Sequence, residues 1–287
     1  MRKRFLTVFN TFLCISVLSG CSKMITNPMA YVMDEEVEEE TSAYEDDSDN
    51  TEIQETKDST FVSDNIAVLK SNVSSDSDLV KLSSEVNEAF SKKGTDAVVV
   101  IHQKATIEEV SYFISLTTKH DKPIIFIPVL DTEDDVSDKM EAVRSYINDA
   151  TDLTDDTIVV VTGQGENAFD ITGIKNLPTV NIVYDYTGND GSAMQNVLKY
   201  DEGVVIVASS EDGSLSDKIL EYVTGKYAFP IVISYSGREY TKPLENSYND
   251  RNVFYTDKSP VKARILLMLS LNKGCSTGEI RQNFYNY

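Results

Sequence analysis

The first place to look for chemistry is a set of four side chains between a predicted strand and a predicted helix: His102, Gln103, Lys104 and Ala105. Loops that follow the strands of a parallel sheet carry the functional groups of many α/β proteins. The strand is indicated by four β-branched residues, Val98 to Ile101, and the helix by the pattern of residues 106–119. A lysine acts as a base only when it is desolvated, and a single histidine at a strand end is more often a hydrogen-bonded structural residue. The segment therefore has the position of a catalytic loop without a catalytic set of side chains.

The elements that must position this loop alternate between short apolar runs and helical patterns. Seven runs predict strands: NIAVL, DAVVVI, KPIIFIPV, DTIVVV, VNIVYDY, GVVIVA and FPIVISY. The alternation predicts an α/β fold, with a mostly parallel sheet and helices on both faces. A stretch without periodicity, residues 163–178, divides the pattern into two domains. We expect about four strands in residues 61–170 and about three in residues 177–287.

Three helices have recognisable starts. Asp78 is the predicted cap of the helix after the first apolar run, and Ser137 is the predicted cap of a later one. Thr106 has Glu109 three residues further on, a pattern that predicts a capping box at the start of the helix after the His-Gln-Lys-Ala loop. A capping role would explain Thr106 without any part in binding or catalysis.

The first 20 residues have the form of a bacterial lipoprotein signal peptide. MRKRF is positively charged, the apolar run that follows is far shorter than a membrane span, and LSGC at residues 18–21 has the form of a lipobox. We therefore expect Cys21 to carry a lipid such as palmitate, which anchors the chain to a membrane at the cell envelope. The alternative is an ordinary secretory peptide that is cut nearby.

An acidic segment follows the predicted signal peptide. Residues 34–58 hold 13 acidic residues and one lysine, and so contribute −12 of the formal charge of −21. Charge at this density predicts a disordered tether over residues 21–60, and a chain this acidic is not expected to bind nucleic acid. Cys275 is the one cysteine after Cys21, and no spacing typical of a metal site occurs. We expect neither an intrachain disulfide, nor a metal, nor a cofactor.

Several blocks of the chain resemble the bacterial L-asparaginase family. The run DAVVVIHQKATIEEVSYFISLTTKHDKPIIFIPV, residues 96–129, is similar to the family segment D-G-hydrophobic-V-I-T-H-G-T-D-T-M-E-E-T-A-Y-F-L-x-L-T-x-x-x-K-P-V-V. LPTVNIVYDYTGND, FPIVISYSGREY and SPVKARILLMLSLNKGCSTGEIRQNFYNY resemble, in that order, the family's small C-terminal domain. The resemblance implies the two-domain asparaginase architecture.

The resemblance also implies a catalytic site that this chain does not retain. Family members use a threonine on a glycine-rich T-G-G-T-I loop as nucleophile, supported by a second threonine and an aspartate of H-G-T-D-T and by a lysine from a later loop. His102 and Thr106 match that motif, whereas its glycine, threonine and aspartate are replaced, in order, by Gln103, Lys104 and Ala105. Lysine supplies no hydroxyl, and alanine supplies no carboxylate for the ammonium group of an amino-acid substrate.

The place of the first predicted strand in the family pattern is open. If NIAVLKSNVSSDSD corresponds to the strand that carries the nucleophile, Ser74 takes the nucleophile position. If it corresponds to the second family strand, Ser71 and Asn72 take the positions of a Ser-Gln pair that binds the substrate carboxylate, with Thr106 as a further binding candidate. We prefer the second alignment because its distance to His102 is nearly the family's own. The nucleophile strand would then be missing, since nothing in residues 21–60 predicts a buried strand.

Two functions follow from these comparisons with the family. The first is an asparaginase-like surface lipoprotein without amide hydrolase activity, which has a binding or interaction role. The second is a divergent L-asparaginase or glutaminase with Ser74 or Ser71 as nucleophile and Lys104 as base, a Ser-Lys arrangement that occurs on other folds. The resemblance also implies assembly of the chain with itself or with a homologue.

Overall fold

A computed structural model of the chain describes residues 65–130, 135–208, 214–225, 228–235 and 252–287. The predicted signal peptide, the predicted lipid-bearing Cys21 and the acidic tether lie outside these residues. Within the described ranges no helix is long and apolar enough to cross a membrane.

The first sheet of the described residues has its strands in the order β1-β2-β3-β4. These strands are β1 (Ile66–Ser71), β2 (Ala97–Gln103), β3 (Pro123–Val129) and β4 (Val159–Thr162). The helices between them are α1 (Asp76–Ser91), α2 (Ile107–Thr117) and α3 (Ser137–Asp149). Strands β1, β2 and β3 run parallel, and β4 is antiparallel to β3.

The second sheet has the order β5-β6-β7-β8, and all of its described strand pairs are parallel. Its strands are β5 (Val180–Tyr184), β6 (Gly203–Val207), β7 (Ile231–Ser234) and β8 (Val253–Thr256). The remaining helices are α4 (Ser192–Tyr200), α5 (Asp217–Val223), α6 (Pro260–Asn272) and α7 (Thr277–Asn286). The predicted α/β class with mostly parallel strands is confirmed. The expectation of about three strands in the second half was too low, because β8 was not predicted.

Strand β2 is buried on both faces of the first sheet. Val98 and Val100 pack in the cluster that contains α1 and α2, whereas Val99 and Ile101 pack in the cluster that contains α3. None of the four is more than 4% exposed. Because successive side chains of a strand point to opposite faces, this two-sided burial accounts for the unbroken run of β-branched residues.

Helix α6 joins the two sheets through one apolar core. Five consecutive residues, Ile265 to Leu269, have no exposed surface. They belong to the same cluster as side chains of α1, α2 and the second sheet. A helix that is apolar on all sides is typical of a fully buried position. The first turn of α6 is therefore held close to the elements that follow β1 and β2.

Two of the predicted helix caps are wrong. Helix α1 is capped by Ser75, whose Oγ accepts a hydrogen bond from the backbone N–H of Asp78 at 3.3 Å. Asp78 itself lies inside the first turn, where a carboxylate is favoured by the helix dipole. Ser137 is the first residue of α3, and Val136 occupies the cap position; the N–H and hydroxyl of Ser137 both donate to the carboxylate of Asp135.

Gly163, directly after β4, has no room for a side chain. A Cβ atom there would collide with the carbonyl oxygen of His120 and would lie 2.8 Å from both Cβ and O of Thr118. Because two of these atoms are backbone, we expect Gly163→Ala to lower the free energy of unfolding by about 1–3 kcal/mol. Chemical denaturation measures this change. Gly278→Ala in α7 is the matched control, since a Cβ there meets nothing within 4 Å. A loss of stability in Gly278→Ala as large as in Gly163→Ala would contradict this account.

Candidate functional site

The candidate site is formed where β1 and β2 end side by side. Ser71, the last residue of β1, is the register partner of His102 near the end of β2. The loop of residues 72–75 then leads into α1, and a 3-10 turn, Lys104–Thr106, leads into α2. The two segments that sequence analysis singled out for chemistry are therefore neighbours in the fold. Nothing lies between them in the described sheet, since β1 pairs directly with β2.

His102 connects the two segments through both ring nitrogens. Nδ1 lies 3.2 Å from the carbonyl oxygen of Ser71, and Nε2 lies 2.8 Å from Oγ1 of Thr106. A carbonyl oxygen can only accept, so Nδ1 carries the proton and Nε2 accepts from the threonine hydroxyl. The ring is 1% exposed, and burial lowers its pKa below the ordinary value of 6.5. His102 is thus a neutral side chain whose two ring nitrogens are both engaged in hydrogen bonds in this arrangement.

Ser74 is exposed and bonded to a neighbouring carboxylate. Its hydroxyl donates to Oδ2 of Asp78 at 3.1 Å, and its backbone N–H donates to the same atom at 3.0 Å. Ser75 Oγ makes a third hydrogen bond to that oxygen, at 2.8 Å. These bonds, that of the Ser74 backbone first, lower the pKa of the Asp78 carboxyl. A carboxylate stabilised in this way is a weak base, so it does not activate the Ser74 hydroxyl.

The side chains that replace the family motif point to no partner. Gln103, Lys104 and Ala105 are all exposed, as is Asn72 in the facing loop. Among the described residues, the side chain of Lys104 has neither a hydrogen bond nor an ion pair, and no hydrogen bond joins it to Ser71 or Ser74. The structure therefore brings Ser71, His102 and Thr106 together and leaves Lys104 outside that group.

Thr106 does not form the predicted capping box. It occupies the cap position of α2, but its side chain makes no capping hydrogen bond, because the hydroxyl is engaged by His102. The other half of the predicted box, Glu109, bonds to Arg264 instead. Both side chains are therefore used for contacts between elements and not for the end of their own helix.

Arg264 of α6 binds three elements at once, and sequence analysis missed it. Its Nη1 donates to Oε1 of Glu109 at 2.7 Å, its Nη2 to Oδ1 of Asp76 at 3.1 Å, and its Nε to the carbonyl oxygen of Val180 at 2.9 Å. The guanidinium thereby ties the first turns of α1 and α2 to β5. No local spacing could have revealed the set, because Arg264 is 155 residues from Glu109 and 188 from Asp76.

A second set of contacts links the first turn of α2 to the first turn of α6. Ser259 caps α6 and donates its hydroxyl to Oε1 of Glu108 at 2.7 Å, while Lys262 lies 3.7 Å from the same oxygen. The acidic first turn of α2 is thus neutralised by the first turn of α6.

The described residues contain no cluster of histidine, cysteine or acidic side chains that could hold a metal ion.

Comparison with known proteins shows similarity to asparaginases. The family model "Asparaginase, N-terminal" matches residues 29–170, which include both loops of the site. Over 263 residues the chain is 24% identical to L-asparaginase 2 of Bacillus subtilis strain 168, with 73% of this chain and 69% of that protein covered. The chain is thus similar to asparaginases, both in the segment that the family model matches and along most of its length.

Two further relatives have a similar sequence identity to the chain. Glutaminase-asparaginase of Pseudomonas fluorescens biotype A is 26% identical over 263 residues, which cover 73% of each chain. L-asparaginase 2 of Escherichia coli K12 is 22% identical over 247 residues, which cover 67% of this chain and 71% of that protein. The crystal structure of a probable cytoplasmic L-asparaginase from Campylobacter jejuni matches with a TM-score of 0.60 and 21% identity, over 78% of this chain and 99% of that one. This last likeness shows a shared asparaginase fold.

Proposed function

We propose that this chain is an asparaginase-fold protein that does not hydrolyse amides and that serves as a binding or interaction module at the cell envelope. The observation that carries the proposal is the direct pairing of β1 with β2. In the same proposal, a lipid on Cys21 anchors the chain, the acidic segment holds the domain away from the membrane, and the domain assembles with itself or with a homologue.

The pairing matters because of one common strand order of doubly wound sheets. In sheets with the order 2-1-3-4-5, the first strand of the sequence lies between the second and the third. The family match starts at residue 29, which is 37 residues before Ile66 (66 − 29), and so favours β1 as the second family strand. Neighbouring strands are about 4.8 Å apart, which leaves no space for another strand between β1 and β2. A nucleophile strand at the family's position is then sterically excluded.

The side chains of the site support the same proposal. Ala105 offers no carboxylate, and the carboxylates of the adjacent helices, Asp76 and Glu109, are both engaged by Arg264. An amino-acid ammonium would therefore meet no free acidic partner in these first turns. His102 has both ring nitrogens engaged in hydrogen bonds. A fold that keeps its core while its reactive groups are replaced or engaged is better suited to binding than to catalysis.

The second candidate function is a divergent amidohydrolase with Ser74 or Ser71 as nucleophile and Lys104 as base. One observation favours it: if β1 corresponds to the first family strand, Ser74 lies in the loop directly after the nucleophile strand and is open to solvent. The mechanism requires a desolvated lysine beside the serine. Lys104 is exposed and has no hydrogen bond to either serine in the described residues, so we rank this candidate second.

An ammonia-release assay distinguishes the two candidates. Purified full-length chain is incubated with L-asparagine and with L-glutamine, beside the variants Ser74→Ala, Ser71→Ala and Lys104→Met. The proposal predicts no release above the buffer control in any of the four proteins. Release by the unmodified chain that disappears in a serine variant and in Lys104→Met would overturn the proposal and establish the amidohydrolase.

A further inference from the structure

His102 links the loop after β1 to the start of α2, and this link is the basis of a further inference. The ring bridges the end of β1 and the start of α2, which are 31 and 4 residues away from it along the chain. It is 1% exposed and lies on the face of the sheet that α1 and α2 cover, since it follows Val98 and Val100 in alternation. Its two hydrogen bonds depend on one tautomer, with the proton on Nδ1 and a lone pair on Nε2.

We propose that His102 is a pH-sensitive latch: its neutral ring holds the loop after β1 against the start of α2, and protonation of Nε2 releases both. The proton comes from solvent and takes the lone pair that accepts from Thr106. Two N–H donors then face the Ser71 carbonyl and the threonine hydroxyl, so the hydroxyl must turn its own hydrogen away from the ring. The threonine hydrogen thereby loses the acceptor that the ring supplied, and a positive charge is left in a buried place.

The surroundings of the ring offer no compensation for that charge. The charged groups at the start of α1 are Asp76, bound by Arg264, and Asp78, bound by Ser74 and Ser75. Those at the start of α2 are Glu108, bound by Ser259 and Lys262, and Glu109, bound by Arg264.

The other packed elements likewise provide no carboxylate. The register partner of His102 on β3 is Pro128, which is uncharged, and the turn after β2 carries the cation Lys104. On β1, Lys70 precedes Ser71 and therefore points to the opposite face of the sheet. An imidazolium at this position would have no ion-pair partner among the described residues. The closed arrangement therefore requires the neutral ring.

The direction of the pH effect follows from the burial. Burial lowers the pKa of His102 in the closed state, whereas in an open, solvated state the pKa returns toward 6.5. The open state thus binds the proton more tightly. The latch is fully closed above pH 6.5 and loses stability as the pH falls below that value.

Amide hydrogen exchange of the full-length chain tests the latch. Protection factors of residues 72–75 and 105–109 are compared at pH 7.5 and pH 5.5 in the unmodified chain, in His102→Gln and in His120→Gln. The chain has two histidines, so His120→Gln is a matched control. We expect protection to fall by up to about tenfold at pH 5.5 in the unmodified chain and in His120→Gln. In His102→Gln the protection should not depend on pH. A fall of less than twofold in the unmodified chain, or an equal fall in His102→Gln, would overturn the proposal.

A second measurement does not depend on the folding of His102→Gln. In His120→Gln the ring of His102 is the one imidazole left, and nitrogen NMR reports its tautomer and its titration. The latch predicts the Nδ1–H tautomer and a titration midpoint below 6.5. The Nε2–H tautomer, or a midpoint at or above 6.5, would contradict it.

Discussion

Ammonia release from L-asparagine by this chain is expected to be lower than that of L-asparaginase 2 from Bacillus subtilis by a factor on the order of 10⁵ to 10⁶. Nucleophile and base act as a unit, so their joint loss leaves only the rate enhancement that comes from positioning and polar contacts. Here the position of the supporting threonine holds Lys104 and that of the aspartate holds Ala105, and both are exposed. The measurement is ammonia produced per mole of protein over hours, with the Bacillus enzyme as the positive control.

A restored loop provides the control for this expectation. The triple variant Gln103→Gly, Lys104→Thr, Ala105→Asp returns the family motif after His102. We expect it to remain inactive, because with β1 as the second family strand the direct β1–β2 pairing leaves no place for the nucleophile strand between them. Activity in the triple variant that exceeds the unmodified chain by a hundredfold or more would mean that a nucleophile is already in place.

Removal of the Arg264 guanidinium is expected to have the largest effect on stability. Arg264→Met keeps an apolar stem but leaves the carboxylates of Glu109 and Asp76 and the carbonyl of Val180 without their donor. Breaking a buried pair from one side costs about 3–5 kcal/mol, and the partial exposure of these carboxylates reduces this to about 2–3 kcal/mol. For a domain of this size the melting temperature should fall by roughly 4–12 °C.

The matched control for Arg264 is a solvent-exposed pair. Lys218 lies 3.2 Å from Glu221 on α5, and both side chains are more than half exposed. Lys218→Met is expected to change the free energy of unfolding by less than about 0.5 kcal/mol. Thermal unfolding followed by circular dichroism measures both variants. Similar melting temperatures for the two would contradict the assigned role of Arg264 in joining the sheets.

The strands that were predicted well are the buried ones. Strands β2 and β3 have long runs of β-branched and aromatic residues, and two-sided burial is the physical cause of that pattern. Strand β8 consists of four β-branched or aromatic residues, VFYT, so its composition fits a strand, but the run is shorter than those of β2 and β3 and was overlooked. The structure identifies it by its pairing with β7.

The parts of the site that the sequence did not reveal depend on distant contacts. Thr106 and Glu109 have the spacing of a capping box, yet His102 engages one and Arg264 the other. In the segment Ser-Ser-Asp-Ser-Asp several residues are suitable caps, and the packing of α1 selects Ser75 over Asp78. A local sequence pattern indicates which hydrogen bonds a side chain can form, whereas the tertiary packing determines which partner it binds.

The adjacency of β1 and β2 is the central claim, and cross-strand nuclear Overhauser effects test it most directly. In isotope-labelled full-length chain we expect backbone cross-peaks between partners in the register, such as Val68 with Val99 and Leu69 with Val100. Neighbouring strands lie about 4.8 Å apart, whereas an intervening strand would separate β1 from β2 by about twice that distance. Observation of these cross-peaks would agree with a sheet that has no place for a further strand between β1 and β2. Their absence, together with cross-peaks from both strands to a segment within residues 29–60, would contradict the account.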